Sequence, residues 1–354
     1  MITIGTDFSG IGAPEQGLIK LGVEHKSMFA CDVDKYAKQS YLANYDTEHF
    51  YDDITTRNHN EAPYVDLYVA GFPCQAFSMA GKRKGFEDTR GTLFFDLLQY
   101  LKAKKPKYFI LENVKGLLSH NKGRTFLTIL DCLAKAVNGQ YSFTNYEDGL
   151  NYYVYYKVLN TKDYGIPQNR ERVFIVGFRD EKHNFKFPKK MPLELRLKDI
   201  ISDNVNDKYF LSEKSVEKLE LYNKRNKEKG NGFSAKFHNP EFDNMSSLKV
   251  GGQGADDLIE WIADYRTDEG LRIRENRLSP CLHTRDAPII KKKRIRRLTP
   301  KECFRLQGFP DSFVDKCREI GISDTQLYKQ AGNSMTADAM AYLIKEVLIN
   351  EKSV

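Results

Sequence analysis

Ile2-Thr3-Ile4-Gly5-Thr6-Asp7-Phe8-Ser9-Gly10-Ile11-Gly12-Ala13-Pro14-Glu15 is the stretch that decides the fold. Its apolar, β-branched start reads as a buried strand. Phe8-x-Gly10-x-Gly12 then turns the chain, with glycines that let the backbone approach a ligand closely. Pro14, a good first-turn residue, opens a helix that runs to about residue 21. Strand, glycine turn and helix in that order form the first unit of a doubly wound parallel sheet.

The alternation repeats outward. A strand over 26–31 ends at Asp32-Val33-Asp34, and 35–44 reads as helix. Asp52-Asp53-Ile54 closes a short third strand, and a fourth over 66–70 runs into Gly71-Phe72-Pro73-Cys74. A helix over 92–101 precedes a fifth strand, 107–111, which ends in Glu112-Asn113. Apolar residues at Phe126, Ile129, Leu130, Leu133 and Ala134 make 124–137 a helix. Two β-rich runs, 151–159 and 172–178, are expected to pair as antiparallel edge strands. From about 180 to 324 the chain is polar, with Gly-rich turns and weak periodicity, which predicts a second, smaller, irregular β-rich lobe. An amphipathic helix over 335–349 is expected to return to the first domain. The predicted division is 1–180 plus 325–354 for a catalytic and cofactor-binding domain, and 181–324 for the lobe.

With 354 residues, 41% hydrophobic and 29% charged, the chain has enough apolar material for a large core. Its net charge of +7 is clustered at Lys82-Arg83-Lys84, over 102–107, and at Lys291-Lys292-Lys293-Arg294 with Arg296-Arg297. Such patches favour a polyanionic partner, although a solvated face has the same composition. The cysteines, at 31, 74, 132, 281, 303 and 317, form no C-x-x-C pair. That pattern argues against a metal site and a disulfide framework, and for a reduced intracellular setting. Neither a signal peptide nor an apolar run of membrane-spanning length is present, so a soluble cytoplasmic protein is expected.

Several residues carry chemistry. Asp32, twenty residues beyond Gly12, is placed to accept hydrogen bonds from ribose hydroxyls, and Asp53 can reach an adenine amino group. Pro14 and Glu15 sit badly with a pyrophosphate at a helix N-terminus, so a nucleoside without phosphates, such as S-adenosylmethionine, fits better. Cys74, just after a strand, a glycine and a proline, is presented as a nucleophile would be; a structural cysteine after a βα turn reads the same way. Glu112 follows the fifth strand, at the same sheet edge, as a proton donor, a helix cap or an ion-pair partner. Arg170 and Arg172 alternate into a strand and share a face, a pattern suited to a carbonyl or phosphate and also found in surface pairs. Together these parts meet the needs of methylation at C5 of cytosine. A thiolate adds to C6, an acid relieves charge at N3, a cation lies near O2, and a sulfonium methyl is taken up by C5.

The chain resembles the DNA (cytosine-5) methyltransferases, with the family motifs in family order over nearly its whole length. Gly71-Phe72-Pro73-Cys74-Gln75 matches the Pro-Cys motif, and the likeness continues from Gly85-Phe86-Glu87-Asp88 to Leu93-Phe94-Phe95. Glu112-Asn113-Val114 and Gln168-x-Arg170-x-Arg172 match two further motifs. Arg297-Leu298-Thr299-Pro300 with Leu306-Gln307-Gly308-Phe309-Pro310, and Gln330-Ala331-Gly332-Asn333-Ser334, resemble the last two. The resemblance implies Cys74 as nucleophile, Glu112 as N3 proton donor, and Arg172, supported by Arg170, on the cytosine carbonyl. It implies a cofactor site of Phe8, Gly10, Gly12, Asp32, Val33, Asp53, Ile54, Pro73, Leu93 and Asn333, binding S-adenosylmethionine and releasing S-adenosylhomocysteine without a metal. Residues 181–324 would be the target recognition domain. Ser78, Lys82, Arg83 and Lys84 would face double-stranded DNA from a lid over 81–91, and Gln253 in Gly251-Gly252-Gln253-Gly254 would enter the duplex, unless that segment is a plain Gly-rich turn.

Three departures bear on cofactor affinity. The acid of the first motif stands one residue nearer the phenylalanine, at Asp7. Val33 replaces a frequent aromatic and would stack more weakly on adenine, and Met335 replaces a common valine. A bacterial or phage type is implied, monomeric, in the cytoplasm of a bacterial or phage-infected cell, and compatible with a cognate restriction endonuclease that makes no stable contact. A tRNA cytosine-5 methyltransferase of the same fold and a catalytically inactive DNA-binding module remain alternatives; the intact Cys74, Glu112 and Arg172 argue against the second.

Overall fold

The computed structural model describes residues 1–73, 93–141, 149–180, 185–228, 236–238, 245–246, 257–266, 270–273 and 290–349. Cys74, Ser78, Lys82, Arg83, Lys84, Gln253 and the expected lid lie outside them.

The first half follows the expected alternation: β1 (Ile2–Asp7), α1 (Ala13–Lys20), β2 (His25–Cys31), α2 (Lys35–Leu42), β3 (His49–Tyr51), β4 (Leu67–Gly71), α3 (Leu93–Lys104) and β5 (Tyr108–Val114). Then come α4 (Arg124–Leu133), β6 (Ala134–Val137), β7 (Gln140–Tyr141), β8 (Tyr152–Asn160), β9 (Gln168–Asn169) and β10 (Glu171–Phe178). Nine strands form one sheet in the order β3-β2-β1-β4-β5-β10-β8-β6-β7. Its β3-to-β5 half is parallel, and β10 pairs antiparallel with both β5 and β8.

Alternation along the strands splits the core into two layers. Leu67 and Val69 of β4 join a cluster with Ile4, Leu18, Phe304 and Leu343, whereas Tyr68 and Ala70 join Phe29, Leu97, Phe109 and Ile129 on the other face. Helices cover both faces, as the parallel half requires.

Two expectations are corrected here. The 151–159 and 172–178 runs pair antiparallel, but β8 and β10 are interior strands, because β6 and β7 extend the sheet beyond them. The helix expected over 124–137 ends at Leu133, since Ala134–Val137 pairs with β8 and forms a hairpin with β7. Asn138 and Gly139 supply its positive φ values, 48° and 81°. An Asn-Gly pair of this kind is a strong two-residue hairpin signal.

The second half is more helical than its weak periodicity implied. It contains α5 (Leu197–Ile200), α6 (Glu213–Glu228), β11 (Lys236–His238), β12 (Met245–Ser246), β13 (Asp257–Arg266), β14 (Gly270–Ile273) and β15 (Ile290–Arg296). Four of these strands, β11, β13, β14 and β15, make a separate sheet. The chain closes with α7 (Pro300–Arg305), α8 (Asp311–Glu319), α9 (Asp324–Asn333) and α10 (Ala337–Ile349). Phe304, Phe313, Val314 and Leu327 of α7 to α9 are buried in the same cluster as β1 and α10. Their helices are short and locally capped: Thr299 and Glu302 form a reciprocal capping box, and the Ser323 side chain accepts from the Gln326 amide. So the core of the large sheet takes in both ends of the 181–324 span, from Phe185 to Ile200 and from Leu298 to Ile322.

As expected, α10 returns to the first domain. It lies so close to α1 that a Cβ on Gly17 would stand 3.2 Å from the Ala341 amide nitrogen. A wholly buried pair then joins the small sheet to this core: Arg296, ending β15, donates to both oxygens of Glu302 at 2.8 Å. Glu302 also accepts from the Ser202 and Thr299 amides. Removing one partner strands a buried charge. Glu302→Leu should therefore lower unfolding stability in urea by about 3–5 kcal/mol, and the double variant Arg296→Met/Glu302→Leu should recover most of that loss.

Candidate active site

The carboxyl edge of the large sheet gathers the site. Gly71 of β4 is in register with Glu112 of β5, and a Cβ at Gly71 would stand 3.7 Å from Glu112 Oε2. Beyond Gly71 the chain turns through Phe72 and Pro73. The Asn113 amide fixes that turn by donating to the Phe72 carbonyl at 2.8 Å. Glu112 thus lies one strand across from the segment that leads into Cys74. β5 runs on through Glu112 to Val114, past the expected end of the strand, because β10 pairs with it up to Arg172.

Glu112 is buried, and Arg172 Nε stands 3.0 Å from its Oε1. Burial raises the carboxyl pKa above its ordinary value, and Arg172 and Arg170 only partly offset this. The three side chains line one small cavity with Thr161 and Thr336. Arg170 is nearly inaccessible and donates to the carbonyls of Gly332, at 3.1 Å, and Ser334, at 2.8 Å. Burial and the Arg172 charge push its pKa down to about 9, so it stays cationic at neutral pH. Both arginines line the cavity; Arg172 pairs with Glu112 there, and Arg170 also grips the backbone at the end of α9.

Around that turn lies a polar network not anticipated from sequence. The Thr161 hydroxyl meets Thr336 Oγ1 at 3.3 Å, Thr336 donates to Gln307 at 3.0 Å, and Gln307 donates to Gln168 at 3.4 Å. Only Gln168 and Gln307 stand within the recognised motifs. Threonines at a helix start carry no local sign that they complete a network across the fold.

The expected cofactor residues gather at the ends of β1 to β4. Phe8, Gly10 and Gly12 all have positive φ, at 54°, 54° and 79°. Among the described residues, apart from its own neighbours in the chain, nothing lies within 4 Å of where a Cβ on Gly10 would stand. Asp32 accepts from the Gly10 amide at 2.8 Å and the Asp34 amide at 2.9 Å. Burial raises its pKa. Val33 is 82% exposed at the rim, Ile54 is buried, and Asp53 accepts from the Thr55 amide and hydroxyl at 2.8 Å. Pro73 is exposed, and Leu93 is half-buried at the start of α3. Asn333, exposed at the end of α9, is brought to this edge from the far end of the chain. Lys329 pairs with Asp34, and Gln330 bonds Ser40 and the Tyr36 carbonyl, so α9 is fastened to α2. A glycine loop with positive φ values and two carboxylates at strand ends suit a nucleoside, with the carboxylates placed to accept from its hydroxyl and amino groups. A larger surface cleft beside α1, lined by Gln16, Met191 and Phe309, contains none of these residues.

Comparison with known proteins gives the family and the fold. The family model described as C-5 cytosine-specific DNA methylase matches residues 7–348. The Type II methyltransferase M1.ScrFI of Lactococcus lactis subsp. cremoris is 38% identical, over 98% of this chain and 78% of its own. The Type II methyltransferase M.NlaX of Neisseria lactamica is 36% identical, over 96% of this chain and 94% of its own. In fold, the chain is similar to a crystal structure of S. pombe Dnmt2 methyltransferase. The TM-score is 0.68 at 17% identity, over 99% of this chain and all of that one.

The Arg170 grip has a measurable consequence. Arg170→Met leaves two carbonyls without this donor, at about 1–3 kcal/mol for each buried group. Hydrogen exchange of the amides over 330–340 should accelerate, while exchange in β1 and β2 stays unchanged.

Proposed function

The chain belongs to the C-5 cytosine-specific DNA methylases, and on that premise we propose that Cys74, Glu112 and Arg172 carry methyl transfer to a cytosine flipped out of a specific double-stranded DNA sequence. The observation that supports these roles best is the buried Glu112 beside Arg172, one strand from the turn that leads into Cys74. A base has to leave the stack to reach chemistry held at such an edge.

In this reading the Cys74 thiolate adds to C6, forming a carbon–sulfur bond and pushing electron density toward N3 and C5. Burial biases the Glu112 carboxyl toward its neutral form, and its proton, given to N3, would offset the developing charge. Arg172 orients the ring through the cytosine carbonyl, and Arg170 keeps the Gly332–Thr336 turn in place behind it. S-adenosylmethionine, when bound, supplies an electrophilic sulfonium methyl group. Loss of the C5 proton and expulsion of the thiolate then restore the aromatic ring.

Phe8, Gly10, Gly12, Asp32, Val33, Asp53, Ile54, Pro73, Leu93 and Asn333 would bind that cofactor. The recognition domain would be built on the small sheet and its connections within 181–324, with 1–180 and 325–354 as the catalytic domain. Gln253 and Ser78, Lys82, Arg83 and Lys84 would meet the DNA. The naming of the relatives as Type II methyltransferases supports a modification role, for which a cognate restriction endonuclease would be the counterpart; the protein would act as a monomer in the cytoplasm. Among the described residues no helix is long and apolar enough to cross a membrane.

Methyl transfer from labelled cofactor to duplex DNA tests the reading. Wild-type protein should label DNA and Cys74→Ser should not, while DNA affinity in a mobility-shift assay is retained. Label on tRNA alone would overturn the choice of substrate.

The raised Glu112 pKa sets the sign of a pH effect. The acid is protonated below that pKa, so kcat should fall as pH rises through it, and the stability gained from burying the neutral form is lost over the same interval. Glu112→Gln should lower kcat by about 10²–10⁴-fold and abolish this alkaline limb in a pH–rate profile.

A further inference from the structure

Asp7 ends β1 immediately before the Phe8 to Gly12 loop, and its side chain is wholly buried. It receives two parallel hydrogen bonds from Arg57, at 2.8 Å from Nη1 and 2.7 Å from Nη2, and a third from the Tyr68 hydroxyl at 2.6 Å. The Arg57 side chain is 1% exposed. Its guanidinium carbon lies 4.8 Å from the Phe29 ring centroid, 5.2 Å from Tyr51 and 5.3 Å from Tyr100. A charged fork caged by three rings has one orientation in which both of its bonds to Asp7 form.

Arg57 belongs to the segment that also carries Asp53. Thr55 donates to the Asp53 carboxylate and the Thr56 hydroxyl to the Asp53 carbonyl, so 53–56 is a tight turn directly before Arg57. Ile54 is buried in the core beneath it. The turn therefore has one apolar anchor and one ionic anchor, and the ionic one is fastened to the residue that precedes the glycine loop. Two loops from different strands are thereby held at a fixed separation.

We infer that Arg57, through Asp7, is a positioning residue that sets the span of the cofactor pocket between the Phe8 to Gly12 loop and Asp53. The inference rests on the proposal that those residues bind S-adenosylmethionine. Arg57 touches no ligand in this scheme. It fixes the loops so that binding does not have to order them, and such supporting contacts act on affinity more than on the chemical step. The acid at Asp7, displaced by one residue from the usual motif position, thereby acquires a role: it serves the pocket from behind.

The test measures S-adenosylhomocysteine binding to the full chain by calorimetry, together with KM and kcat on duplex DNA. Asp53→Ala reports the site itself and should weaken binding by about tenfold or more. Arg57→Lys keeps the charge but not the fork, and should also weaken binding by about tenfold, with DNA affinity and saturated kcat within about twofold of wild type. Tyr68→Phe removes one bond to Asp7 and should raise the cofactor KM by about threefold at constant kcat; it carries the test alone should Arg57→Lys fail to fold. If Asp53→Ala weakens binding and Arg57→Lys or Tyr68→Phe leaves it unchanged, the positioning role is wrong while the site stands. If Asp53→Ala also binds normally, the site and the inference fall together. A parallel loss of cofactor affinity, DNA affinity and kcat in Arg57→Lys would mark a general structural role and overturn the inference.

Discussion

A buried guanidinium that donates to the carbonyls of Gly332 and Ser334 holds together regions 162 and 164 residues apart in sequence. Arg170 stands at the entry to β10, the strand that turns a parallel sheet into a mixed one, and what it grips is the hinge between α9 and α10. Through that grip the exposed Asn333 reaches the edge where Asp32 and the glycine loop lie, and Thr336 reaches the cavity of Glu112. Desolvating such a charge is costly, and fixed carbonyl dipoles repay it only where the geometry is held. The close contact of α10 with α1 at Gly17 supplies that rigidity.

Two carboxylates of the proposed site, Glu112 and Asp53, differ in setting. Glu112 is enclosed, and burial favours its neutral form against the pull of two arginines. Asp53, half-buried at the far end of the pocket, spends one oxygen on a local turn. Both stand near strand ends at one sheet edge, one enclosed and the other half-buried.

The parallel half of the sheet was legible because short apolar strands alternate with helices that start at recognisable residues, such as Pro14 and Asp34. The antiparallel half was less so. The apolar spacing of 124–137 suits a helix throughout, and only Asn138-Gly139 marks where it becomes a hairpin. Helices α7 to α9 escaped because each is too short to show several turns of periodicity, and their burial depends on a distant sheet. Ordered motifs revealed Glu112, Arg170 and Arg172, yet the task of Arg170 depends on backbone carbonyls, which no side-chain pattern encodes. Asp7 was noticed as a displaced acid, but Arg57, in a polar stretch, carried no sign of its partner.

The grip of Arg170 on Gly332 and Ser334 also bears on biosynthesis. When β10 leaves the ribosome, the carbonyls that receive this cation do not yet exist, and neither does the helix that covers α1. Until then water satisfies the Arg170 guanidinium, and the candidate site is complete only once the region around α9 and α10 has been made. A chain that ends before Gly332 lacks both carbonyl acceptors of Arg170 and every contact that α10 makes with α1.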